Sequence, residues 1–153
     1  MVRLNRLDML IERVDKVSDE LYEAVTRLVP LLGSHKTIPR REELTALIHS
    51  EASTLWIARY PDEQGEIAGM LTMAVYRVPT GIRSIVEDVV VDSNLRRRGI
   101  AEALLQKAIE FARTAGVDGI SLTSNPQREA ANQLYQAMGF ARRETNLYYY
   151  KIK

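Results

Sequence analysis

The sequence contains no cysteine and only two histidines among its 153 residues. Without cysteine the chain cannot form disulfides, thiolate nucleophiles or zinc-thiolate sites. His35 and His49 fall in separate segments, and neither lies in an H-x-x-x-H pattern or beside carboxylates at ligand spacing. We therefore expect no metal site. The absence of G-x-S-x-G also argues against a serine-histidine-acid hydrolase.

The chain also lacks a long apolar run and a strong charge of either sign. No run approaches the roughly 18 to 20 apolar residues of a membrane-spanning helix, and the start MVRLNRLDML has no apolar signal core. The 21 basic and 20 acidic residues leave a net charge of +1, which does not supply the broad positive field that nucleic-acid binding needs. We expect a soluble cytoplasmic protein with neither a membrane nor a nucleic acid as partner.

The remaining composition, 46% hydrophobic and 27% charged, is typical of one globular domain, which we expect to span residues 1–153. Hydrophobic periodicity and end signals predict helices over 18–33, 39–52, 99–115 and 128–139, and strands over 8–14, 54–60, 67–77, 84–92, 119–125 and 144–153. This order predicts an α/β fold with a mixed sheet. The second and third strands should form an antiparallel hairpin, and the fourth and fifth should be parallel neighbours.

Three consecutive arginines, Arg96, Arg97 and Arg98, stand directly before Gly99 and a predicted helix. A helix N-terminus already carries partial positive charge and unpaired amides, so cations there are unfavourable unless an anion joins them. The loop follows a central strand, at the position where open α/β sheets bind anions. Gly99 would let a phosphate approach the backbone, and Ala101 keeps the next amide free of a bulky side chain. The sequence thus predicts a diphosphate site, with a solvated arginine loop as the alternative.

Two runs, EDVVVDSNLRRRGIAEALLQKAIEFA and LTSNPQREAANQLYQAMGF, resemble the GNAT superfamily of acetyl-CoA-dependent N-acetyltransferases. The first contains the superfamily's coenzyme signature Q/R-x-x-G-x-G/A, and the second its Y-x-x-x-G-F. The resemblance covers about residues 84–140. It implies a GNAT-type acyl-CoA N-acyltransferase fold with a splayed central sheet and flanking helices, acetyl-CoA as cosubstrate, and a small-molecule or peptide amine as acceptor. Superfamily members commonly pair through C-terminal strands, so a homodimer is compatible with it.

The resemblance also implies which residues bind the coenzyme. The pantetheine arm would exchange backbone hydrogen bonds with Val89 and Val91, and the amides from Arg97 to Glu102 would wrap the diphosphate. The full set comprises Val89, Val90, Val91, Arg96, Arg97, Arg98, Gly99, Ile100, Ala101 and Glu102, together with Asn125 or Asn132. Many relatives have an asparagine seven positions before the tyrosine, where this chain has Arg128. Asn125, at a strand end, is the first choice to replace it.

Glu87 and Tyr135 are the predicted catalytic residues. A primary amine is protonated at neutral pH and must lose a proton before it attacks a thioester. Strand alternation predicts that Glu87 shares a face with Val89 and Val91 and that Asp88 points the other way. IEDVVV resembles the glucosamine-6-phosphate N-acetyltransferase branch, which suggests Glu87 as general base, directly or through water. The superfamily resemblance makes Tyr135 the general acid for the departing thiolate of coenzyme A.

Each role has an alternative. Glu87 could pair with a surface cation such as Arg83 or Arg77. Tyr135 could be a core residue beside the predicted apolar stripe of its helix, formed by Ala131, Leu134 and Met138. For the whole chain, the alternative to an N-acetyltransferase is a catalytically idle acyl-CoA-binding module.

Overall fold

The computed structural model describes residues 8–153, and that part contains five strands and four α-helices. In chain order they are β1 (Leu10–Arg13), α1 (Asp19–Leu28), α2 (Arg41–His49), β2 (Ser53–Tyr60), β3 (Glu66–Val78), β4 (Gly81–Val91), α3 (Ile100–Ala115), β5 (Ile120–Ser121) and α4 (Glu129–Ala137). Short 3-10 helices follow α1 at Val29–Leu32 and β4 at Ser93–Leu95. The chain divides into two compact units, one up to Thr123 and one from Ser124. A single domain over the whole length stays a prediction.

Helix α1 begins where the sequence predicts, because Ser18 caps it. The Ser18 hydroxyl accepts a hydrogen bond from the amide of Leu21 at 3.1 Å, and two acidic residues occupy the first turn, where the helix dipole favours them. The α-helix ends at Leu28, before the predicted end at Gly33. Pro30 has no amide with which to continue the α-helical hydrogen bonds, so the chain continues as a 3-10 turn.

The sheet has the strand order β1-β2-β3-β4-β5. The first four strands are antiparallel neighbours, and β5 lies parallel to β4, so both predicted pairings are confirmed. The parallel ladder contains only the pairs Ser84–Ile120 and Ile85–Ser121. Residues 86–91 of β4 have no strand on that side within the described chain. The sheet is therefore splayed at the carboxyl end of β4.

One face of the sheet packs against α1 and α2. Ile57, Met70 and Val90, from three adjacent strands, join Leu28 and Leu44 of the helices in one buried cluster. Burial of this apolar stripe stabilises the helices more than their own propensity does.

Helix α3 covers the opposite face at close range. A Cβ placed on Gly69 would lie 3.3 Å from Ile100 Cγ2 and 3.4 Å from Leu104 Cδ1. Farther along the helix, the rings of Trp56 and Phe111 meet edge to face with centroids 5.7 Å apart. With helices on both faces of a mixed sheet, the predicted fold class is confirmed.

A β-bulge interrupts β4. Between two regular pairs of the β3–β4 ladder, Leu71 alone stands against both Asp88 and Val89. Asp88 has a φ of 50°, in the left-handed region that aspartate tolerates better than most residues. The extra residue bends the strand and resets the alternation of its side chains.

The bulge corrects the predicted orientation of Glu87. Glu87 lies opposite Thr72, whereas Val91 lies opposite Gly69, three positions along β3 and hence on the other face. The prediction that regular alternation puts Glu87 on the face of Val91 is therefore wrong. The alternation is interrupted at Asp88 and Val89, where the bulge lies.

The predicted strand over 144–153 is also wrong, because the structure has no strand there. Tyr148, Tyr149 and Tyr150 are between 86% and 87% exposed. Tyrosine has a high β-propensity, but a strand forms only where another strand offers it a hydrogen-bonding edge. No strand of the described chain pairs with this segment. The strand predicted over 119–125 does form, although β5 is limited to Ile120–Ser121.

Candidate active site

The loop between β4 and α3 starts from a firmly bonded aspartate. The Asp92 carboxylate accepts a hydrogen bond from the Asn94 amide at 3.0 Å, and its carbonyl accepts one from the Leu95 amide at 2.9 Å. The chain then turns sharply, with φ of 62° at Arg97 and 81° at Gly99. The positive φ at Gly99 is readily reached only by glycine, which explains why this residue precedes α3.

The turn ends in backbone amides that have no protein acceptor. Within the described chain, the amides of residues 97–101 donate no hydrogen bond to a protein acceptor. Ile100, the first residue of α3, is only 2% exposed, so the helix end that presents these amides is anchored in the core. Helix N-termini of this kind bind anions through free N–H groups and the helix dipole.

The three arginines of the turn differ in their surroundings. Arg98 lies against the end of β2, where its Nη1 is 3.4 Å from the Tyr60 hydroxyl and its guanidinium 5.8 Å from the ring centroid. Arg96 and Arg97 are exposed and form no ion pair with any residue in 8–153. Both can therefore turn toward an anion at the helix end without breaking an ion pair within residues 8–153.

The splayed edge of β4 leads directly to this turn. The Asp92 amide donates to the Ala68 carbonyl at 2.7 Å. In an antiparallel ladder adjacent residues direct their backbone groups to opposite sides. Val91, which precedes Asp92, therefore turns its amide and carbonyl toward the unpaired edge. Val90 instead lies opposite Met70 and buries its side chain in the core.

Glu87 is exposed in β4, one residue before the bulge. Its carboxylate forms no ion pair with any residue between 8 and 153. Arg83, the alternative partner, instead approaches Asp118 at 3.7 Å and donates to Thr80 at 2.8 Å. No described cation therefore pairs with this carboxylate. Its assignment as general base stays a prediction.

Tyr135 lies in α4, in the unit that begins at Ser124. The residue is half-buried, and its ring meets that of Phe140 edge to face with centroids 6.0 Å apart. Burial raises the pKa of Tyr135 above its usual 10.0, against the opposing effect of the Arg128 charge. The neighbouring stripe of Ala131, Leu134 and Met138 is only half-buried. Tyr135 therefore retains its phenolic proton at neutral pH, as a general acid must.

A family comparison covers the part of the chain that contains this turn and strand edge. The model of the GNAT acetyltransferase family matches residues 18–140. The chain belongs to the GNAT acetyltransferase family. This match includes β4, the arginine turn, α3 and α4, and so confirms the family resemblance found in the sequence.

Curated GNAT relatives match parts of the chain. Human N-acetyltransferase 8 is 30% identical over 95 residues, which are 61% of this chain and 40% of that protein. The N-acetylaspartate synthetase of Xenopus tropicalis is 44% identical over 50 residues, which are 33% of this chain and 18% of that protein. The chain thus spans less than half the length of these relatives.

Solved structures resemble the chain over most of its length. An aminoglycoside acetyltransferase from an uncultured soil metagenomic sample, solved in complex with sisomicin, superposes with a TM-score of 0.80. The superposition covers 95% of this chain and 97% of that one, at 21% identity. Identity this low supports the GNAT fold and nothing more about the substrate.

The two asparagine candidates for a further coenzyme contact are bonded to each other. The Asn132 side-chain amide donates to the Asn125 carbonyl at 3.0 Å and to the Arg128 carbonyl at 2.8 Å. The Asn125 side chain accepts from the Gln127 amide at 2.9 Å and so forms the turn before α4. Both side chains therefore shape the start of this helix, and their role toward a coenzyme stays a prediction.

The sequence analysis missed two residues that organise the loop between β4 and α3. Asp92 caps the first turn of this loop. Tyr60, the last residue of β2, accepts a hydrogen bond from Arg98 through its hydroxyl. The run Asp-Ser-Asn is a recognisable capping signal and could have identified Asp92. Tyr60 is distant in sequence, and no local pattern connects it with the loop.

The described residues contain no cluster of three or more histidine, cysteine or acidic side chains that could hold a metal ion. Both histidines are exposed. Residues 8–153 also contain no helix that is long and apolar enough to cross a bilayer.

Proposed function

We propose that the chain transfers the acetyl group of acetyl-CoA to a primary amine. The observation that carries this proposal is the sequence of three features along β4: an unpaired strand edge, a turn with free amides at 97–101, and two exposed arginines. An extended acyl-pantetheine arm that ends in a diphosphate matches this order. GNAT family members use acetyl-CoA in this way.

Coenzyme binding rests mainly on backbone groups. Val91 would hydrogen-bond the pantetheine amides through its outward amide and carbonyl, as a neighbouring strand would. The diphosphate would accept hydrogen bonds from the amides that lead into α3, with Arg96 and Arg97 offsetting its charge. Substitution of single side chains in this loop should therefore be mild unless it changes the backbone conformation.

The chemistry requires one base and one acid. Glu87 removes a proton from the ammonium group of the acceptor, directly or through water. The amine nitrogen then attacks the thioester carbonyl carbon, and collapse of the tetrahedral intermediate breaks the carbon-sulfur bond. Tyr135 donates its proton to the departing thiolate, which leaves as coenzyme A. The nitrogen gives up its second proton as the intermediate collapses, and this proton restores the Tyr135 phenol. The products are an amide and a free thiol, and no oxidant or metal takes part.

The acceptor is proposed only as a class. One protein similar to the chain is named as an aminoglycoside acetyltransferase and another as an N-acetylaspartate synthetase. Aminoglycosides and aspartate have opposite net charges, so these names do not select one acceptor class. Small-molecule amines and peptide N-termini both remain candidates.

The test is acetyl transfer to a panel of aminoglycosides, polyamines, amino sugar phosphates, aspartate and peptide N-termini. Free thiol released from acetyl-CoA is measured against a blank without acceptor, and the acetylated product is identified by its mass. Release that depends on one class of amine supports the proposal. Tight coenzyme binding without release above the blank would instead favour an idle acyl-CoA-binding module.

A further inference from the structure

Arg27 connects helix α1 to Asp92, the first residue of the loop between β4 and α3. It lies in the last turn of α1, where the helix dipole favours a cation. Its Nη2 donates to the Ile67 carbonyl at 2.6 Å, and its Nε lies 3.4 Å from Asp92 Oδ2. One guanidinium thus holds both β3 and the residue that follows β4.

Asp92 transmits this contact to the loop. Its other carboxylate oxygen caps the Asn94 amide at 3.0 Å, and its own amide donates to the Ala68 carbonyl at 2.7 Å. The side chain is 19% exposed, which strengthens its electrostatic interactions compared with a fully solvated carboxylate. The orientation of this one residue therefore sets where the following turn begins.

The charge of Arg27 matters as much as its geometry. Asp92 is a carboxylate at the start of the loop that is proposed to receive a diphosphate. A negative charge next to a diphosphate repels it. Arg27 offsets the carboxylate without belonging to the turn of residues 96–98. Its loss would leave an unpaired negative charge beside the proposed anion site and would free the capping carboxylate to rotate.

We propose that Arg27 is a positioning residue for the coenzyme, acting through Asp92. This inference rests on the proposed coenzyme site. Arg27 has no part in acetyl transfer itself, so its removal weakens coenzyme binding and leaves turnover at saturating acetyl-CoA nearly unchanged.

The experiment measures the dissociation constant of coenzyme A by calorimetry for the wild type, Arg27→Met, Arg27→Lys, Asp92→Asn and the double variant of Arg27→Met with Asp92→Asn. We expect Arg27→Met to raise this constant roughly tenfold, as for loss of a charge-assisted contact. Lysine restores the charge but not the forked geometry and should recover part of the affinity. In the Asp92→Asn background, Arg27→Met should cause little further loss, because the two residues act as one unit.

Arg83→Met is the matched control. Its side chain is 45% exposed, like that of Arg27, and also pairs with a single aspartate, but it lies at the opposite end of β4. Coenzyme affinity should not change in this variant. Thermal unfolding of each variant separates lost affinity from lost folding.

The outcomes separate the two proposals. A wild type that does not bind coenzyme A overturns the proposed function itself. A wild type that binds, with Arg27→Met and Arg27→Lys binding equally well, overturns only the role of Arg27. Fully additive losses from Arg27→Met and Asp92→Asn would also overturn it, since Arg27 would then not act through Asp92.

Discussion

Glu87 lies opposite Thr72 in the antiparallel ladder, one residue before the bulge in β4. Its carboxylate is exposed and forms no ion pair within the described chain. Because the bulge follows directly, Glu87 shares its face with Val90 and not with Val91. The proposed base thus lies on the face covered by α1 and α2, whereas the strand edge proposed for the coenzyme begins beyond the bulge.

Glu87→Gln should lower the rate of acetyl transfer by about 10² to 10⁴, the range of a well-positioned general base. The amide retains the size of the side chain but cannot accept the proton. Initial rates across a range of pH, with saturating acetyl-CoA, provide the measurement. Glu63→Gln, an exposed change in the β2–β3 turn, is the control. Equal rates for Glu87→Gln and the wild type would exclude this carboxylate from the mechanism.

Tyr135→Phe should slow the departure of coenzyme A by roughly 10², since the ring remains and the proton donor is lost. Burial raises the pKa of the phenol above 10.0, so its acid form persists through the neutral and mildly alkaline range. Activity that depends on the Tyr135 proton should therefore decline only at pH values above the pKa of an ordinary tyrosine. Tyr148→Phe, at an exposed position, is the control. Full turnover by Tyr135→Phe with chemistry limiting would contradict the acid role.

Gly69→Ala should lower the free energy of unfolding by about 1–3 kcal/mol, as overpacking of a core does. The added Cβ would lie 2.9 Å from the Val90 carbonyl oxygen, besides crowding Ile100 and Leu104. Urea denaturation measures the change. In the control, Gly119→Ala, no atom lies within 4 Å of the added Cβ, and an effect within about 0.5 kcal/mol is expected. Equal stability of the two variants would mean that α3 does not lie as close to β3 as described.

Glu20→Gln should produce a stability loss that depends on pH. A hydrogen bond from Arg59 lowers the pKa of Glu20 below its usual 4.5. A lowered folded-state pKa contributes stability above the unfolded value, and this contribution disappears as the pH falls through the folded value. The glutamate side chain is 55% exposed, so the loss at neutral pH should be only about 0.2–1 kcal/mol.

Urea midpoints of Glu20→Gln and the wild type should therefore differ at neutral pH and converge well below pH 4.5. Added salt should reduce the difference at neutral pH, because screening weakens exposed pairs. A difference that grows on acidification would have the wrong sign for this mechanism.

Local patterns in the sequence identify most of the elements that surround the site. Ser18 signals the start of α1, and Gly99 and Gly116, both with positive φ, bound α3 as the periodicity predicts. These signals are readable because capping and left-handed turns depend on one or a few neighbouring residues. The same locality explains why the sequence alone already suggests an anion site at this turn, which stays a prediction.

The bulge and the C-terminal segment could not be predicted in this way. Asp88 lies inside the predicted strand of residues 84–92, and only the pairing of Asp88 and Val89 against Leu71 reveals an extra residue. The tyrosines of 148–150 have strand propensity, but pairing depends on an edge elsewhere in the chain. Both features are tertiary in origin, so a pattern restricted to one segment gives no account of them.

Ile100 gives the turn before α3 a property that amides without protein acceptors would not have by themselves. The first residues of most helices fray, yet here the opening residue of α3 is locked beneath the sheet beside Gly69. The entropy of ordering that terminus is therefore lost when the chain folds, not when a ligand arrives. At the proposed site a ligand would therefore meet donors that already point in fixed directions, and a cavity made at residue 100 would weaken binding without removing a contact to the ligand.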